Sequence, residues 1–307
     1  MKYLIPAALI ALTAMPAAAF ERMLRSDCQD SVQRAFDLIP STNPSEQMIV
    51  NTLKQSIRVT PQGWCQLNGS DAQDRAEFDV IEWRMEDPKR WVRDGIPPLA
   101  LEVRITGLEP DEMQGNMNTQ RPDVNVEVLL RQLPDAGMIV VERAVMENDA
   151  GDSLSVSGVF ERVFLSSPSM MQVSMGSAAF KAGLMSMTLE GTHENPFGFG
   201  IDVDMRGVPQ AQRDAAFEIV SQVPDGVIND ASRAELTAYA GDLPKPVGTL
   251  EVSVASARGL GLMQVGMAAY TSFSSVVDGE GDGNQLDILL DGITVEADWT
   301  PSAQVAD

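Results

Sequence analysis

Histidine is almost missing from this chain: His193 is the single one in 307 residues. That removes most histidine-based acid–base catalysis and most histidine-ligated metal sites. Basic residues are scarce as well. Lys and Arg number 22 against 44 Asp and Glu, a formal net charge of −22. Nucleic-acid binders and anionic-membrane binders need a positive surface, so the balance argues against both. Only two cysteines occur, and they do not form a CxxC pair, which leaves a thiol-redox role without support. No Gly-x-Ser-x-Gly nucleophile turn and no phosphate-cradling glycine loop with a lysine is present. Trp64, Trp83, Trp91 and Trp299 are scattered and form no stacking stripe. The acids are spread evenly, so no carboxylate pair for glycoside hydrolysis stands out. What remains is an ordinary globular composition, 44% apolar and 21% charged, with enough length for a large core.

The N-terminus carries an address. Lys2 is a short positive region, Leu4 to Met15 is apolar, and Pro16 is followed by Ala17-Ala18-Ala19. This is the pattern of a secretory signal peptide, with cleavage expected after Ala19. The apolar run is too short to span a bilayer, and no later stretch reaches spanning length without charge. The expected mature chain has no transmembrane segment, resides in the periplasm and keeps 21 basic against 44 acidic residues. In an exported chain, Cys28 and Cys65 read as one disulfide. Closing that loop contributes about 4 kcal/mol in the chain-entropy model.

Periodicity divides the rest. Ser26-x-x-Gln29 reads as a capping box opening a helix, with Cys28, Val32, Ala35, Phe36 and Ile39 on one face. Asn43-Pro44-Ser45-Glu46 reads as a second helix start. Strand alternation follows at Ile57–Val59, Phe78–Val80, Leu99 to Ile105, Val124 to Leu130, Met138 to Val145 and Leu154 to Phe164. Met185 to Gly191 and Gly200 to Arg206 read as a hairpin. Val208 to Val223 and Asp230 to Ala240 read as helices, the second with Ser232-x-x-Glu235 as its capping box. Strands resume at Leu250 to Val254 and within Leu286 to Trp299. Met-Gln-Val-x-Met occurs twice, at Met171's segment (170–175) and at 262–267, in a similar order of elements. Two duplicated halves and chance recurrence both fit. The expected division is a signal peptide over 1–19, an N-terminal helix with antiparallel sheet over 20–207, a helical segment with a second β region over 208–300, and a loose tail over 301–307.

Few residues suggest chemistry. His193 lies between Thr192 and Glu194, with Asp202 and Asp204 across the expected hairpin, but without a nucleophile motif. Asp278, Glu280 and Asp282 resemble the first positions of a calcium loop, yet the twelfth position, which must be a bidentate acid, is Leu289. No catalytic residue and no cofactor is expected. Methionine is abundant, at 17. Set among Leu, Val and Ala, methionines suit an adaptable apolar groove better than a copper site. The groove candidates are Met171, Val173, Met175, Met185, Met187, Met263, Val265 and Met267.

The segments Leu243-Pro-Lys-Pro-Val-Gly-Thr-Leu-Glu-Val-Ser-Val254 and Leu286-Asp-Ile-Leu-Leu-Asp-Gly-Ile-Thr-Val-Glu-Ala-Asp298 resemble exported AsmA-like and YdgA-like envelope proteins. They cover about a tenth of the chain. The resemblance implies a long curved antiparallel sheet with an apolar concave face, in a family tied to envelope maintenance and lipid handling. The expected class is therefore α+β: an extended curved antiparallel sheet with a few helices packed on it. The expected function is that of a non-enzymatic periplasmic envelope protein holding a lipid or another apolar ligand along a sheet face. The alternative is a structural or assembly partner that docks an envelope protein by a sheet edge or an acidic surface.

Overall fold

The computed structural model describes residues 20–37, 44–71, 78–109, 123–191, 209–261 and 290–302. Among these residues ten strands form one antiparallel sheet in strict sequence order. They are β1 (Arg58–Val59), β2 (Cys65–Asn68), β3 (Val80–Glu86), β4 (Ala100–Leu108), β5 (Val124–Leu133), β6 (Met138–Asn148), β7 (Ser153–Glu161), β8 (Ala179–Glu190), β9 (Val247–Gly261) and β10 (Ile293–Pro301). Among the described residues six α-helices accompany them: α1 (Arg25–Asp37), α2 (Pro44–Ser56), α3 (Pro88–Val92), α4 (Pro168–Ser177), α5 (Pro209–Gln222) and α6 (Asp230–Asp242). The class is α+β, and the sheet runs unbroken from β1 to β10. Among the described residues no helix is long and apolar enough to cross a membrane.

Alternation along the chain builds this sheet. Leu101, Val103 and Ile105 pair with Leu130, Val128 and Val126, so every second residue adds to one apolar face. The intervening residues, such as Glu102, Arg104 and Glu127, form a polar face. Register shifts interrupt the ladders β4–β5, β5–β6, β6–β7, β7–β8 and β8–β9. Each such irregularity bends its strand and raises the local twist, which is how a long sheet curves.

Several local expectations shift. α1 starts at Arg25, so Ser26 is not its cap. Instead the Asp27 carboxylate accepts from the Leu24 N–H (3.3 Å) while the Leu24 carbonyl accepts from Cys28 N–H (3.0 Å). A short acid three residues into the helix does the capping from inside. α6 is capped by Asn229, whose Oδ1 accepts from Ser232 N–H at 2.9 Å, and not by Ser232. β8 pairs with β7 on one side and β9 on the other, which leaves neither edge for the expected hairpin partner. Gly200 to Arg206 lies outside the described residues.

Candidate functional site

The apolar face is roofed at its two ends. At the first end the Cys28–Cys65 disulfide ties α1 to β2 (Cα–Cα 5.5 Å). Met23, Cys28, Ile57, Cys65, Leu67, Trp83 and Met85 form a buried cluster there, with Val32, Leu53 and Trp91 packed against it. Ser31, only 3% exposed, organises the polar atoms of this core. Its hydroxyl accepts from Trp83 Nε1 (3.0 Å) and donates to the Cys28 carbonyl (2.8 Å). Its carbonyl accepts from Trp91 Nε1 (3.1 Å). At the other end α6 packs on β10. Trp299 Nε1 donates to Asp242 Oδ2 at 2.9 Å. The Tyr239 ring meets the Trp299 ring edge-on at 5.2 Å. Tyr239 also reaches Val124 and Leu189, and burial pushes its phenol pKa up.

Between these roofs lies the middle of the face, and cross-strand register arranges it in rows. One tall row runs Val126, Met146, Leu154, Met187, Leu250, Trp299. A second runs Gln132, Ile139, Phe160, Phe180, Leu260. Two lower rows separate them. The first is Val128, Ala144, Val156, Met185, Val252, Ala297. The second is Leu130, Val141, Gly158, Gly183, Val254, Val295. The first low row is half-buried throughout, except for Val156, which is 37% exposed. The described helices do not bury it as they bury Trp83 and Trp299.

The paired glycines make a gap that an aromatic ring fills. A Cβ at Gly183 would stand 3.0 Å from Phe180 Cζ, and one at Gly158 would stand 3.7 Å from Phe180 Cε2. The Phe180 ring thus overhangs both glycines, braced edge-on by Phe160 at 5.7 Å. Gln132 is the polar exception on this face. It is 6% exposed, and neither its amide nitrogen nor its amide oxygen has a hydrogen-bond partner. A buried amide left so costs about 1–3 kcal/mol.

The opposite face is charged over β3–β6. Glu102, buried at 4% exposure, accepts from Arg84 Nε (2.6 Å) and Arg104 Nη2 (3.0 Å). Arg84 and Arg104 both lie over the Trp64 ring, each 4.3 Å from its centroid, and Arg84 also covers Phe20 at 4.2 Å. Glu127 bridges Arg104 and Arg143. Burial works against the Glu127 charge, but the hydrogen bond and charge of Arg143 outweigh it and hold the carboxyl below its ordinary range. A depression of about 220 Å³ opens here, lined by Arg104, Asn125, Glu127, Arg143 and Glu147 among others. Arg104, Glu127 and Arg143 are already paired across the strands, which fits a stabilising ladder.

The sequence candidates fall in different places. Cys28 and Cys65 form the disulfide. Met185 and Met187 lie on the apolar face, in the low row and in a tall row. Met171, Val173 and Met175 belong to α4, a helix capped by Ser167 and tied to the β7–α4 loop through Ser174 and Phe164. Met171 is half-buried there and Val173 is 58% exposed. Met263, Val265, Met267, His193, Asp202, Asp204, Asp278, Glu280 and Asp282 lie outside the described residues. Sequence reasoning missed Gln132 and the Gly158–Gly183 pair. Gln132 had a signal: it continues the alternation Val124, Val126, Val128, Leu130 with a polar residue. The glycines gain meaning only from a pairing between distant segments.

No protein-family model matches this chain, and no curated protein and no solved structure matches it.

Proposed function

We propose that this is a non-enzymatic periplasmic envelope protein, exported by a signal peptide cleaved after Ala19, that holds a lipid or another apolar ligand on the middle of its apolar sheet face. One observation carries the reading: an uncharged row of apolar side chains, Val128, Ala144, Val156, Met185, Val252 and Ala297, with Val156 37% exposed, runs between two roofed ends. Leaving apolar surface in water is unfavourable by about 25 cal/mol per Å², so an open strip has a use for an occupant. The disulfide supports an oxidising compartment.

The rival reading, docking through a sheet edge, has less behind it. The outward N–H of Val295 on β10 donates to the Val227 carbonyl (2.8 Å), and that of Trp299 donates to Glu235 Oε2 (3.3 Å). β1, at the opposite edge, has two residues. Both edges are thus blunted against strand addition.

The test is native mass spectrometry of the mature protein, purified from periplasm without detergent, followed by organic extraction. The expected result is a discrete added mass that extracts as lipid. A clean unliganded mass at several protein concentrations overturns the reading.

A further inference from the structure

We draw no further inference here: the strongest candidate, the surface patch where the exposed Phe164 and Val173 meet at Ser174 of α4 beside Arg162, Lys181 and Arg258, carries none, because Glu161 and Asp291 already pair with those cations and nothing in the structure shows what covers the apolar residues.

Discussion

The two ends of the apolar face solve one problem by different means. Each must hold helices on a twisted sheet, and each uses a tryptophan whose indole N–H is tied to a helix. At the first end the acceptor of the Trp83 N–H is the Ser31 hydroxyl, buried and backed by a disulfide. At the second end the acceptor of the Trp299 N–H is Asp242, which is exposed, and no covalent link supports it. The first end is a closed core. The second is a clamp of one helix, which holds β10 at Trp299 and reaches Val124 and Leu189 through Tyr239. Among the described residues the strip between them has neither device, and its Val156 is 37% exposed where Trp83 and Trp299 are buried.

Removing the covalent link should disturb this comparison most. Cys28→Ala/Cys65→Ala is expected to lose about 4 kcal/mol and to lower the melting temperature by roughly 10 °C. Hydrogen exchange should show the loss in β1–β4 and leave β9–β10 protected. Equal loss at both ends would mean that the sheet transmits the staple's effect along its whole length. The tryptophans sharpen the contrast. Trp83→Phe should cost about 2 kcal/mol, because it opens a space and leaves the Ser31 hydroxyl without its donor. Trp299→Phe should cost about 1 kcal/mol, since water can satisfy Asp242. Urea denaturation of both variants checks the order, and a reversed order would sink the claim that burial of the acceptor separates the two ends.

The smallest effect concerns the charged face. The Glu127 carboxyl is held below its ordinary value, so its pairing with Arg143 stabilises the fold fully above pH 4.5. That contribution is lost as pH falls through the lowered folded value. Glu127→Gln should therefore cost less than about 1 kcal/mol at pH 7 and less again at pH 3. Urea titrations at the two pH values measure it. A penalty that stays equal at pH 3 would point to packing in place of charge.

Much of the sheet was legible because half-buried antiparallel strands write their faces into the sequence. Leu99 to Ile105 and Val124 to Leu130 needed only alternation. α2 and α5 were readable from Pro44 and Pro209, which sit at their first positions. β2 was not, since four residues beside a cysteine carry too short a pattern, and α3 was not, at five residues. Cap positions moved because both helices start ahead of the expected serines, at Arg25 and Asp230, where Asp27 and Asn229 accept from N–H groups at the helix start. The expected hairpin failed on a non-local fact: β9 takes the place beside β8. The low row was hidden for the same reason. Small residues such as Ala144 and Ala297 are unremarkable in sequence, and only pairing through Val156, Met185 and Val252 lines them up.

The strand order has a consequence of another kind. In a sheet whose strands follow the chain, each strand leans only on its predecessor and its successor. Such a ladder can gain or lose a hairpin in its middle without rethreading anything. Each hairpin added between β6 and β7 would lengthen the low row by two strand spacings, about 10 Å. The span of this protein across its sheet is thus a quantity that insertion and deletion can set in steps, while the stapled end and the clamped end stay as they are.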